Sequence, residues 1–260
     1  MISPSRSSNA RGRSSGRRPR RALASATRAA HLDPASTEAR FNLALALSAL
    51  SLRDQATTAW SDYLAHDSTS AWATEARAQL DTLRRPTPAQ AWASMELRLK
   101  QGPVSASTAE EAVRTQVSNA RRHIDTVVMS RWTDAAISGA DTSSARTSLE
   151  VFAHAMAHVT DDGFYLSEVA VIDRLSAADA HRYAVAYRQF AVAYRLFEQD
   201  AVLQAAAAAR QAQADLHELG SNYASLADIL VAAAAYYTAD YPKAAALLSS
   251  AQASADSHRA

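Results

Sequence analysis

Two histidines four residues apart, His154 and His158, stand on one expected helix with Asp161 and Asp162 just beyond. Histidines at that spacing face the same way and can ligate zinc. The glutamate that follows the first histidine in zinc-protease helices is missing, and Ala155 stands in its place. The ordinary alternative is a pair of histidines near a helix C-terminus, where the partial negative charge favours them. That alternative is preferred, and no metal is expected. The 260 residues contain no cysteine, so thiolate metal sites, disulfides and a cysteine nucleophile are excluded for this chain. Neither a glycine-rich phosphate loop nor a G-x-S-x-G elbow is present. Glu110 and Glu111 fall in a first helical turn, which accounts for them without chemistry. No catalytic constellation and no cofactor site emerge, and the chain is expected not to be an enzyme.

One cluster does suggest binding. Tyr183, Tyr187, Phe190, Tyr194 and Phe197 are spaced 4, 3, 4 and 3, which puts five aromatic rings in one stripe on one helix. Such a stripe either packs as core or lines a surface for a partner, and aromatics are enriched where binding energy concentrates.

The elements that position these residues are helices throughout. Glycine (6) and proline (7) are scarce, 48% of the residues are apolar, and alanine dominates that share. Helix starts are expected at Ser36, at Thr87-Pro88, and at Ser107-Thr108-Ala109-Glu110, which reads as a capping box. The last of these opens one long helix running to Gly139. Helices over 142–159 and 164–175 follow. Breaks are expected near Asp200, Gly220-Ser221-Asn222 and Asp240-Tyr241-Pro242. No apolar run approaches the ~20 residues that cross a bilayer, and a cytoplasmic location is the default.

Residues 1–20 are arginine, serine, glycine and proline, a composition expected to be disordered. Residues 1–21 hold seven arginines and no acid, while 22–260 carry a net charge of −6. A nucleic-acid role for this tail is weighed and ranked below a solvated arm, because no aromatic interleaves with the arginines to stack on bases.

An internal repeat organises the rest. With Thr37 as position 1, Leu43, Ala44 and Leu47 fall at positions 7, 8 and 11, and Ala56, Trp60 and Tyr63 at 20, 24 and 27. Ser68 stands at position 32, where proline is usual. Residues 225–258 repeat the pattern with Ala232, Ala244, Leu248 and Ala251 at 8, 20, 24 and 27. Residues 186–219 repeat it more loosely with Ala193, Leu196, Ala205 and Ala212 at 8, 11, 20 and 27. Ala22, Ala26, Ala29 and Pro34 fit only the second half of such a unit. Small residues at 8 and 20 let two antiparallel helices cross closely.

These spacings resemble the 34-residue tetratricopeptide (TPR) repeat. The segment from Phe41 to Leu80 is similar, more narrowly, to the repeat region of bacterial proteins that carry a caspase-like CHAT peptidase domain. The peptidase domain is absent here. The resemblance implies an all-α solenoid of antiparallel helix pairs that binds a protein or peptide. The expected organisation is a tail at 1–20, an N-terminal repeat unit at 21–86, a helical linker section at 87–180 and C-terminal repeats at 181–260. It implies a groove at positions 2, 5, 9, 12 and 13, which here carry Phe41 and Leu45, then Tyr187, Phe190, Tyr194 and Phe197, then Tyr236 and Tyr237. The missing half-repeat leads to the expectation that the chain is a docking arm of a longer protein. A stand-alone adaptor, a nucleic-acid-associated protein and a fragment without an independent role are the alternatives. A membrane is not an expected partner.

Overall fold

A computed structural model describes residues 17–257, and helix dominates them with no strand among them. The expected tail at 1–20 lies outside the described residues up to position 16. Arg17 to Arg20 are helical instead, the first turn of α1 (Arg17–Leu32). The described chain divides into two compact units, with the boundary in sequence between Thr87 and Pro88.

The first unit holds α1, α2 (Thr37–Ala49), α3 (Arg53–His66) and α4 (Ala71–Arg84), each packed on its neighbour in sequence. Ser36 caps α2 by accepting the Ala39 N–H at 3.1 Å. The core is aromatic. The Phe41 ring meets Trp60, Tyr63 and Trp72 edge-on at centroid distances of 5.0, 5.2 and 4.6 Å, the arrangement that ring quadrupoles favour. The α3 terminus uses an aspartate, one residue before the position where such repeats usually carry proline and this chain has Ser68. Asp67 accepts the Tyr63 hydroxyl at 2.6 Å and the Ser70 N–H at 3.1 Å, so its side chain makes the turn.

The second unit begins with α5 (Pro88–Leu99), starting at the expected proline. The expected capping box and long helix need correction. Ser105, not Ser107, caps α6 (Ala106–Thr115) by accepting the Thr108 N–H at 3.2 Å. The backbone then breaks at Gln116, with φ −165° and ψ 100°. Helix α7 (Val117–His123) runs into a π-turn over Ile124–Val128, where the Met129 N–H reaches back five residues to the Ile124 carbonyl. After α8 (Met129–Ser138) come α9 (Ser143–Thr160) and α10 (Phe164–Ile172). Two successive helix pairs finish the unit: α11 (Ala177–Glu198) with α12 (Val202–Glu218), and α13 (Tyr223–Tyr237) with α14 (Tyr241–Ser257). One continuous apolar core runs from Met95 to Val231.

Three helix hairpins share one turn. Between α2 and α3, α11 and α12, and α13 and α14, the residue at position 15 of the repeat has positive φ: Ser51 (57°), Asp200 (60°) and Ala239 (62°). In each, the next N–H returns to a carbonyl five residues back: Leu52 to Leu47, Ala201 to Leu196 and Asp240 to Ala235, at 3.1, 2.9 and 2.8 Å. That is the Schellman closure, normally built on glycine. The alanines at positions 8 and 20 are buried in all three, as Ala44/Ala56, Ala193/Ala205 and Ala232/Ala244. Position 24 is not uniform. Trp60 and Ala209 are fully buried there, whereas Leu248 on the last described helix is 49% exposed.

Candidate functional site

The expected groove residues divide sharply by exposure. Phe41, Tyr187 and Phe190 are buried, so they build core and offer no surface. Tyr183, at the start of the stripe, is buried too. The burial follows from length: α11 begins well before the repeat register, and its first half packs on α8 and the surrounding core. Farther along, Tyr194 is 48% and Phe197 37% exposed, and Leu45 on α2 is half-exposed. Tyr236 and Tyr237 are 62% and 71% exposed.

Helix α13 adds a residue that the repeat-position reasoning left out. Ile229, at position 5, is exposed, and with Ala233, Tyr236 and Tyr237 it completes an i, i+4, i+7, i+8 face. The Tyr236 ring meets Tyr237 at 6.2 Å and Tyr241 at 5.5 Å, both edge-on. Between Tyr223 and Tyr237 the only charged residue is Asp228, and it is buried. It sits against the His217 Nε2 and accepts the Gln213 side-chain N–H. The exposed face of α13 is therefore uncharged and aromatic. Long apolar faces of this kind mark interaction surfaces more often than isolated exposed rings do.

The two histidines do not converge on a metal position. His158 Nδ1 lies 3.0 Å from Glu110 Oε1, a contact that ties α9 to α6, and Glu110 also accepts Arg114. Among the described residues no group of three or more ligand-type side chains comes together.

The strongest electrostatic perturbation lies inside the second unit. Glu168 on α10 is fully buried. It accepts the Tyr183 hydroxyl, the Ser221 hydroxyl at 2.9 Å and the Asn222 N–H. Burial pushes its carboxyl up to about 7, against the opposing pull of those three donors. Asp125, in the π-turn, accepts Tyr165 and Tyr223 hydroxyls on one oxygen at 3.1 and 2.7 Å. Burial raises it to about 6. The Tyr187 hydroxyl donates to the Asp125 backbone carbonyl at 2.9 Å. Desolvation beside these carboxylates drives the tyrosines Tyr165, Tyr183, Tyr187 and Tyr223 well above their ordinary range.

Two perturbed acids would ordinarily mark an active site. Here Glu168 and Tyr183 are wholly enclosed, and Asp125 is partly so. Their hydrogen bonds join α10, α11 and the turn before α13, while Asp125 joins the π-turn to α10 and α13. The cluster fixes how these helices pack. A single glutamate inside the apolar run Phe164–Ile172 was the available signal for it.

No protein-family model matches the chain, and no curated protein is significantly similar to it. No helix of the described residues is long and apolar enough to cross a membrane.

Proposed function

We propose that this chain is a protein-interaction scaffold of TPR type. Its working surface is the aromatic face formed by Tyr194 and Phe197 on α11 and by Ile229, Tyr236 and Tyr237 on α13. The observation that carries the reading is the shared hairpin. Three helix pairs close through the same positive-φ turn at the same repeat position, with alanines buried at the two helix-crossing positions. Repeats built this way leave one face of their first helices to a partner. On α13 the exposed part of that face is aromatic and uncharged. The partner chemistry that fits is an apolar peptide or the apolar side of a helix, held by ring contacts. Leu45 on α2 belongs to the equivalent face of the first unit.

The reading assigns the chain binding rather than catalysis. It places the chain with the repeat arms that accompany CHAT-type peptidases, on the strength of the Phe41–Leu80 segment. The test is site-specific photo-crosslinking in cells, with a benzophenone side chain placed at position 194, 237 or 210. Arg210 is exposed on α12, which carries none of the five residues of the aromatic face. One protein captured from 194 and 237 but not from 210 supports the reading. Equal capture from all three, or none, contradicts it.

A further inference from the structure

Helix α1 carries Arg17, Arg18, Arg20, Arg21 and Arg28 and no acid. Its inward side is Pro19, Leu23, Ala26 and Ala30, spaced 4, 3 and 4, all more covered than their neighbours, with Ala26 buried. This stripe faces α2, and Leu23 packs on the first unit's core. The exposed side holds Arg18, Arg21 and Arg28, spaced 3 and 7, flanked by Arg20 and His31. At 3.6 residues per turn these arginines share one side of the helix, opposite the stripe that packs.

Among the described side chains, Arg18, Arg20, Arg21 and Arg28 form no ion pair. The ion pairs among the described residues run from Arg98 to Asp228, and none includes a residue of α1. The nearest acids in sequence are Asp33 and Glu38, both exposed. Asp33 is engaged with the Ala35 N–H at 3.1 Å. Cations in a first helical turn also oppose the helix dipole, so an anion there relieves two unfavourable terms at once.

We propose that this face of α1 binds the phosphate backbone of duplex nucleic acid without reading its sequence. Arginine rather than lysine supplies every charge, and the guanidinium fork matches phosphate oxygens. A bilayer is the poorer occupant. Surface-lying basic helices insert an apolar side into lipid, and that side of α1 is already spent on α2. Single strands fit less well too, because α1 has no aromatic ring on which bases could stack. Composition alone favours a solvated arm over nucleic acid for residues 1–20. The added observation is that arginines at 18, 21 and 28 are ordered on one helical face.

The full chain, titrated against a fluorescein-labelled DNA duplex at several salt concentrations, gives the test by fluorescence anisotropy. The triple variant Arg18→Gln, Arg21→Gln, Arg28→Gln is expected to bind roughly 10-fold or more weakly at physiological salt. Its slope of log affinity against log salt should fall by about 0.9 for each lost phosphate contact. The matching lysine triple keeps the slope, which separates lost charge from lost folding. Unchanged affinity in the glutamine triple overturns the proposal. So does an affinity loss confined to Arg6→Gln, Arg11→Gln, Arg13→Gln, or binding to phosphatidylserine vesicles without binding to the duplex. Crosslinking from position 237 is expected to be unaffected by the glutamine triple, so this test stands apart from that of the aromatic face.

Discussion

The two compact units solve the same packing problem with opposite chemistry. The first is sealed by rings: Phe41, Trp60 and Tyr63 meet edge-on, and its polar atoms bond at the margin, as Trp60 Nε1 does to Ser48 Oγ at 2.9 Å. The second encloses Glu168 and half-encloses Asp125, and satisfies them with tyrosine hydroxyls gathered from several helices. A core of rings needs only shape. A core of buried carboxylates needs every donor in place, because an unpaired buried charge costs several kcal/mol. The comparison teaches that helix pairs of similar outline can differ in what specifies them, and that pH should tell the two apart.

The sharpest break of the comparison is Trp60→Ala. A fully buried tryptophan truncated to alanine costs roughly 3–5 kcal/mol. Hydrogen exchange read by mass spectrometry should show α2 and α3 losing protection while α10 and α11 keep theirs. Equal loss in both units would show that they fold as one.

The pH dependence comes next. Glu168 has a folded pKa raised above its unfolded value, so the folded unit holds the proton more tightly. Its stability is therefore greatest below the ordinary glutamate range and falls as pH rises to about 7. For Glu168 the loss is on the order of 3 kcal/mol across that window, and Asp125 adds in the same direction up to about 6. The first unit has the reverse sign. Hydrogen bonds from Ser70 and Tyr63 hold Asp67 far below the carboxylate range, so stability there is present above the ordinary aspartate range and is lost in acid. Urea unfolding followed unit by unit from pH 2 to pH 8 checks both signs, and Glu168→Gln should reduce only the second unit's response, leaving the part due to Asp125.

Smaller effects refine the local geometry. Ser105→Ala should cost about 1 kcal/mol by removing the α6 cap, while Ser107→Ala should cost little. Ala239→Gly should stabilise the α13–α14 turn by roughly 1 kcal/mol, since a β-carbon is disfavoured at positive φ. Thermal melts of the purified variants decide both.

Much of the helix order was legible because its punctuation is local. Ser36, Pro88 and the breaks near Asp200, Gly220 and Asp240 act through adjacent backbone, and they sit where expected. Gln116 and the π-turn were not legible, since neither contains glycine or proline and both answer to tertiary contacts. The hydroxyl that Tyr223 lends Asp125 comes from 98 residues away, a separation no local pattern encodes. The aromatic stripe on α11 was visible as a stripe, yet spacing could not say that its first half is core and its second half surface. That division depends on which helices pack beside it.

The central claim is that the exposed rings of α11 and α13, and not the buried tyrosines, are the working surface. Its most direct test is the affinity of the crosslinked partner, once purified, for the double variant Tyr236→Ala, Tyr237→Ala. The account predicts binding weakened at least about 10-fold with both units' unfolding midpoints unchanged. Undiminished binding by a folded double variant would contradict it.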